Sequence, residues 1–353
     1  QRGPWAINLV RVDLRRANIE IRAARALDQL RGRERVSDIA HRAESSGVRV
    51  LAAINADFFN LETGENENDQ VIDGELWKGL KVTDSPYDTY DNTHTQFGID
   101  AAGHPLMDRF ILDGKAWDRG ALTPIITLNF NPSGKPEGTA LYTSRYGATT
   151  PRDTTRRTVE VALISAGKRG DTLLFVRRGA ASTSSGTSIP SNGAVLAAYG
   201  SGLRAQEVQA MADGDTVKIL LATLPRITRE LAMVVGGWPR ILRDGQNIAG
   251  EAATLEGTLS RNAESRHPRT AIGFSRDSST LFLLTVDGRS ENSGGMTLIE
   301  LATVMRELGA WQAMNFDGGG STTMVVAGKV VNQPSDKEGE RAVGNAVLVV
   351  LKR

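Results

Sequence analysis

Apolar and polar residues alternate with a period of two over much of the chain, which is the pattern of strands that bury one face. Residues 5–23 follow this pattern and predict a hairpin that enters a sheet. Further predicted strands are separated by Gly, Pro, Asn and Asp turns. They are Val48 to Ile54, Thr95 to Ile99, Ile125 to Phe130, Ala140 to Tyr142, Val159 to Ile164, Thr172 to Val176, Ala194 to Tyr199 and Thr216 to Ala222.

Two segments instead follow the helical period. Val36 to Glu44 is amphipathic and is followed by Gly47. In the second segment, Thr297 and Glu300 have the spacing of a capping box, and Gly309 is placed to end the helix. We therefore expect an α/β (α+β) protein, a single large domain with a mixed, many-stranded sheet and few helices. Residues 1–47 would form N-terminal strands and a helix packed on a main domain of residues 48–353.

Composition excludes several classes of protein. The 42 basic and 41 acidic side chains nearly balance, so no overall field favours nucleic acid or a membrane surface. No apolar run reaches the roughly 18 residues of a membrane span. The absence of cysteine excludes disulfides, thiolate metal sites and a Cys nucleophile. The chain begins at Gln1 without an apolar signal segment, and we expect any export signal to lie before it.

Two segments share one layout, a helix, a glycine, a strand and then Asn-x-Asp. The first gives Asn55 and Asp57, and the second gives Asn315 and Asp317. We expect the two strands to be close, so that both carboxylates and both amides reach one cleft. Chance is the alternative, because the motif fixes only two residues.

A glycine-rich turn follows Asp317 and leads into a strand at Thr322. Consecutive glycines allow backbone conformations in which N–H groups line a small concavity for an anion. The alternative is a hairpin loop with a solvated aspartate. The turn is not a nucleotide-binding P-loop, because it lacks the lysine of that motif and leads into a predicted strand and not into a helix.

Several pieces occur in an order that resembles the phosphodiester glycosidases, the family of the mammalian uncovering enzyme. They are Ala53-Ile-Asn-Ala-Asp-Phe-Phe59, Val235-Gly-Gly-Trp-Pro-Arg-Ile-Leu242, Arg269-Thr-Ala-Ile-Gly273, Val286-Asp-Gly-Arg289, Gly294-Gly-Met-Thr-Leu-Ile-Glu-Leu-Ala302 and Asn315-Phe-Asp-Gly-Gly-Gly-Ser-Thr-Thr323. The resemblance covers roughly residues 48 to 350. It implies a bacterial, extracytoplasmic hydrolase that cleaves the bond between an anomeric sugar carbon and a phosphodiester oxygen.

The resemblance also implies roles for residues. Asp317 would be the catalytic carboxylate on the sugar side, as a base to water or as a nucleophile, and Asp57 would be its partner or a ligand of a sugar hydroxyl. Substrate-binding residues would be Asn55, Arg269, Asp287, Arg289, Asn315, Gly318, Gly319, Gly320, Ser321 and Thr322. Arginine suits this role because its planar fork matches phosphate oxygens. Arg341 is a further cation, and His267 is expected at the rim.

Several points stay open from the sequence alone. Asp57 stands where many family members carry a small residue, so a glycosidase acting on a non-phosphorylated bacterial or plant glycan is an alternative. A cell-envelope carbohydrate-binding protein without turnover is another. No cofactor is required, although the converging Asp and Asn oxygens, or the acidic loop Leu61 to Asp73, would suit Ca²⁺ or Mg²⁺. The sugar and the oligomeric state are not readable from the sequence.

Overall fold

The computed structural model describes residues 3–81, 94–132, 137–224, 230–257 and 264–352. The strands of the first half are β1 Ile7–Asp13, β2 Ile19–Arg25, β3 Arg49–Asn55, β4 Gln70–Ile72, β5 Glu75–Leu80, β6 Gln96–Asp100, β7 Pro105–Asp108, β8 Ile111–Asp118, β9 Ala121–Ile125, β10 Thr127–Leu128, β11 Gly138–Thr143 and β12 Thr158–Arg169. Those of the second half are β13 Thr172–Ser182, β14 Gly193–Tyr199, β15 Thr216–Leu224, β16 Leu231–Val235, β17 Arg240–Arg243, β18 Gln246–Asn247, β19 Arg269–Phe274, β20 Thr280–Val286, β21 Gln312–Phe316, β22 Met324–Val326, β23 Lys329–Val330 and β24 Asn345–Leu351. The helices are α1 Val36–Ser45, α2 Leu203–Ala210, α3 Ala252–Glu256 and α4 Leu298–Glu307.

The contacts of the chain divide it into two units. The first comprises Gln1–Leu76, Ser85–Arg109 and Thr228–Arg353, and the second comprises Trp77–Asp84 and Phe110–Ile227. The prediction of a many-stranded mixed sheet with few helices is confirmed, whereas a single domain is not. Residues on both sides of position 47 fall in the first unit, and the predicted boundary there stays a prediction.

Three sheets build the first unit among the residues described. One has the order β1-β20-β19-β21-β17-β18, another the order β2-β24-β3-β22-β23, and β7, β6, β16 and β4 pair in that order. Helix α4 buries Leu298, Leu301 and Met305 against the first of these sheets. Helix α1 buries Val36 and Ile39 against the second. Each helix therefore packs the apolar face that its periodicity predicts against a sheet.

The second unit is built on one sheet with the order β5-β10-β11-β14-β12-β13-β15-β8-β9, in which β10 and β11 run parallel. Helix α2 packs on β12 and β14. Tyr142 and Tyr199 are fully buried between strands, and their hydroxyls are 2.6 Å apart. The polar tips of these rings are thus paired inside the core, as buried hydroxyls require.

The prediction of an N-terminal hairpin is wrong. Strand β1 pairs with β20, from Ile7 opposite Val286 to Asp13 opposite Thr280. Strand β2 pairs instead with β24, from Ile19 opposite Leu351 to Arg25 opposite Asn345. The two strands therefore belong to different sheets. The prediction missed this because alternation indicates a strand but carries no information about the strand with which it pairs. Among the residues described, no helix is long and apolar enough to cross a membrane.

Candidate active site

A cavity of about 370 Å³ in the first unit opens beside the end of β21. One part of its lining is apolar and consists of Phe58, Phe59, Leu61, Trp238, Pro239 and Leu298. The charged and titratable part consists of Glu67, His267, Arg269, Arg289, Asp317 and Arg341. Asn315 and the three glycines that follow Asp317 complete the lining. A ligand with an apolar or ring-shaped part and an anionic part would match both surfaces.

Asp317 is held at this cavity by the neighbouring strand β3. Its backbone N–H donates to the carbonyl of Ala56 at 2.8 Å, and its own carbonyl accepts from Nδ2 of Asn55 at 2.7 Å. Oδ1 of Asn55 accepts from the Thr323 N–H at 3.1 Å and from Oγ1 of Thr270 at 2.8 Å. The two Asn-x-Asp segments are therefore adjacent, as predicted. Asn55 itself is buried and ties three segments together behind the cavity, without lining it.

The Asp317 carboxylate is in an environment that disfavours its charge. Burial raises its pKa from 3.8 to about 6, and the charge of Glu67 adds to this rise. The Ser321 hydroxyl, the Gly318 N–H and the charge of Arg341 act in the opposite direction. The N–H of Gly318 donates to Oδ1 of Asp317 at 2.9 Å. A carboxylate with a pKa near neutrality is suited to exchanging protons with a substrate or with water.

The glycine turn does not form the predicted concavity of N–H groups. Gly319 donates its N–H to the carbonyl of Pro268 at 2.9 Å, and Ser321 and Thr322 donate to carbonyls within the turn, at Gly318 and Gly319. Ser321 and Thr322 are buried behind the cavity and do not line it. The turn forms a short 3-10 helix, Gly319–Ser321, so the following strand begins at Met324 and not at Thr322.

The glycines are required because cations and backbone approach them closely. A Cβ at Gly318 would lie 2.6 Å from the carbonyl oxygen of Pro268. Gly319 has φ +60°, and a Cβ there would lie 3.0 Å from Nη2 of Arg289. A Cβ at Gly320 would overlap the guanidinium group of Arg341. The turn therefore brings two arginines next to the residue that follows β21.

The three arginines differ in their freedom to bind a ligand. Arg269 is buried, and its Nε and Nη2 donate to the carbonyls of Met296 and Ser265 at 2.8 and 2.9 Å. Arg341 forms an ion pair with Asp336, with Nε 2.7 Å from Oδ2. Arg289 is exposed, and its Nη1 donates to the Ser335 hydroxyl at 3.4 Å. Arg289 and Arg341 can therefore contact an anion, while Arg269 contributes its charge from a fixed position.

Asp57 and Asp287 are both turned away from the cavity. Asp57 is 1% exposed and accepts from the backbone N–H and from Nδ2 of Asn68, at 3.0 and 2.7 Å. Asp287 is buried and accepts from Nδ2 of Asn332 and the N–H of Gln333, at 3.2 and 3.1 Å. Asp57 thus holds the residue next to Glu67, and Asp287 holds the segment Asn332–Gln333. Neither carboxylate is among the lining residues.

Glu67 and Trp238 line the cavity although the sequence analysis assigned them no role there, and His267, which was expected at the rim, lines it as well. Glu67 belongs to the acidic loop considered for calcium, and its N–H donates to the carbonyl of Phe58 at 3.0 Å. Trp238 stacks on His94 with ring centroids 4.7 Å apart. Its backbone carbonyl accepts from Nδ2 of Asn315 at 2.7 Å, and Oδ1 of Asn315 has no hydrogen-bond partner among the residues that the structure describes. Within the described ranges, no group of three His, Asp or Glu side chains could hold a metal ion.

A family model described as "Phosphodiester glycosidase" matches residues 165–350, which is more than half of the chain. The chain belongs to the phosphodiester glycosidase family. The match contains β19, β21, the glycine turn and the cationic residues of the cavity. The predicted family motif around Asn55 and Asp57 lies outside the matched residues.

Curated relatives of this family member align over short segments. A protein of Bacillus subtilis, the "SPbeta prophage-derived uncharacterized protein YomE", is 42% identical over 84 residues, 24% of this chain and 13% of its own length. Mouse N-acetylglucosamine-1-phosphodiester alpha-N-acetylglucosaminidase is 33% identical over 103 residues, 27% of this chain and 20% of its own length. The alignments thus span a fifth or less of the length of these relatives.

Solved structures resemble the whole chain. A hypothetical protein from Synechocystis superposes with a TM-score of 0.80 at 20% identity, over 99% of this chain and 59% of its own. A Burkholderia pseudomallei protein described as a "Putative exported protein" superposes with a TM-score of 0.73 at 25% identity, over 98% of this chain and 74% of its own. The fold of both units is therefore found in other proteins.

Proposed function

We propose that the protein is a hydrolase that cleaves the bond between an anomeric sugar carbon and a phosphodiester oxygen. The observation that supports this reaction best is that one cavity holds Asp317, whose pKa burial raises to about 6, together with Arg289 and Arg341. A glycosidase needs a carboxylate at the anomeric carbon, and a phosphate leaving group needs cations. Membership of the family supports the same reaction.

In this mechanism Asp317 acts on the sugar side. Its ionised carboxylate takes a proton from the water that attacks the anomeric carbon, while Arg289 and Arg341 neutralise the charge that develops on the departing phosphate. The sugar ring would lie against the apolar lining at Trp238, and Oδ1 of Asn315 would accept from a sugar hydroxyl. Asp57 would hold Asn68, the neighbour of Glu67, and would not itself touch the substrate.

The cations also distinguish this function from hydrolysis of a neutral glycan, which offers no charge for Arg289 and Arg341 to neutralise. We further propose an extracytoplasmic location, supported by the similarity to the Burkholderia structure described as a "Putative exported protein".

The test is phosphorus and proton NMR of the purified protein with a panel of sugar 1-phosphodiesters. We expect free sugar and a phosphomonoester, with no product from Asp317→Asn. The reaction is run with and without chelator to determine whether a metal ion takes part. Turnover of neutral glycosides but of no phosphodiester would refute the proposed substrate class. Saturable sugar binding without product, unchanged in Asp317→Asn, would identify a binding protein.

A further inference from the structure

His267 lines the charged part of the cavity but has no role in the proposed reaction so far. Its ring is partly buried, and neither Nδ1 nor Nε2 has a hydrogen-bond partner in the described part of the chain. A shielded imidazole normally donates from one nitrogen and accepts at the other. Because the ring lines a cavity, a ligand bound there is the natural partner.

The backbone fixes His267 beside the glycine turn. Its N–H donates to the carbonyl of Met296 at 3.3 Å, and its carbonyl accepts from the Met296 N–H at 3.0 Å. The next residue, Pro268, accepts from the Gly319 N–H at 2.9 Å. The segment of His267 and Pro268 is therefore hydrogen-bonded to the glycine turn that follows Asp317.

Cations are the main charges acting on the ring. Burial lowers the pKa of His267 below 6.5, and the charges of Arg269 and Arg289 lower it further. The other charged residues that line the cavity are Arg341, Glu67 and Asp317. Burial and the charges of Arg269 and Arg289 therefore favour the neutral form of the imidazole. An anion bound at Arg289 would offset the cations and favour the imidazolium.

We propose that His267 is the proton-carrying ligand of the anionic group, binding a phosphate oxygen as the imidazolium. In the hydrolysis proposed above, on which this second step rests, it gives the proton to the oxygen that leaves the sugar. The bond between the anomeric carbon and that oxygen breaks, and its electron pair stays on the oxygen, which takes the His267 proton. Water forms the new bond to carbon and loses its proton to Asp317, so atoms and charges balance.

The binding step is tested with dimethyl phosphate, whose single charge does not titrate near neutrality. The chain has 4 histidines, and the ring signals that disappear in His267→Gln identify this one in a proton NMR titration. We expect its midpoint to lie below 6.5 in the free protein. Saturating dimethyl phosphate should raise it by about one unit or more, as an opposite charge nearby does. An unchanged midpoint, or no binding, would overturn the proposal.

The proton-transfer step is tested by turnover of a sugar 1-phosphodiester. We expect His267→Gln to lower kcat by about 100-fold or more, the usual contribution of a positioned acid. It should also remove the fall of kcat at high pH, where His267 loses its proton. His41→Gln, on the exposed side of α1, is the matched control and should behave as wild type. A wild-type pH profile in His267→Gln would overturn this step. If the wild type turns over no phosphodiester, the proposed hydrolase function is refuted. The change in the titration midpoint of His267 then decides by itself whether this residue binds the anion.

Discussion

Asp317 should reduce the stability of the protein while making it active. Its pKa is 3.8 in an unperturbed chain and about 6 in the folded protein. The folded state therefore binds the proton more tightly, and stability falls as the pH rises from about 4 to about 6. At about 1.4 kcal/mol per pKa unit, the ionised carboxylate costs up to about 3 kcal/mol at pH 7.5. This is an upper limit, because the side chain is partly open to the cavity.

Asp317→Asn removes that cost and can keep the hydrogen bond from the Gly318 N–H. We expect the variant to have no hydrolase activity. Its free energy of unfolding should exceed that of the wild type by up to about 3 kcal/mol at pH 7.5 and by about half of that at pH 5. Urea denaturation at the two pH values measures both differences, provided that the m-value does not change.

Asp277→Asn is the control with the opposite sign. Asp277 is exposed, and hydrogen bonds from Ser275 and Ser279 lower its pKa to about 2. Its replacement should therefore destabilise at neutral pH and have no effect on turnover. An Asp317→Asn variant that is no more stable than wild type at pH 7.5, or whose gain does not depend on pH, would refute the reasoning.

Three further variants test other parts of the site and fold. Glu67→Gln removes a charge that raises the pKa of Asp317, so the loss of kcat on acidification should move to lower pH. An unchanged pH profile would show that Glu67 does not affect the titration of Asp317. Asn55→Ala deletes hydrogen bonds to Asp317, Thr270 and Thr323, and at about 1 kcal/mol each it should lower the free energy of unfolding by about 3 kcal/mol, against about 1 for Thr270→Val. Thr297→Ala removes the cap of α4 and should cost about 1 kcal/mol in urea denaturation without changing kcat.

Local patterns in the sequence predicted the elements well. Thr297 accepts from the Glu300 N–H, and Glu300 accepts from the Thr297 N–H, as the spacing of the capping box required. Helix α1 ends within one residue of its predicted end. The proximity of the two Asn-x-Asp segments also followed from the sequence. The helix cap and the helix end depend on neighbouring residues, which a sequence displays directly, whereas the proximity of the two segments was inferred from their shared layout.

Directions of side chains after a strand ends could not be predicted in this way. Asp57 and Asp317 follow their strands in the same motif, but Asp57 turns to Asn68 while Asp317 reaches the cavity. Glu67 lines the cavity because the acidic loop folds back on Phe58. Each outcome is decided by a partner nine or more residues away, and no local period encodes such a partner.

The pairing of β3 with β24 has a consequence for the order in which the parts of the protein can form. Strand β3, which leads to Asn55, pairs with β24 on one side, and β24 comprises Asn345–Leu351. During synthesis β3 leaves the ribosome nearly 300 residues before this partner. Such distant pairing is slow and leaves strands exposed meanwhile. The second unit can close its sheet earlier, since its strands lie between Glu75 and Leu224. We therefore expect nascent chains to acquire the second unit first and the cavity beside β21 only after β24 is released.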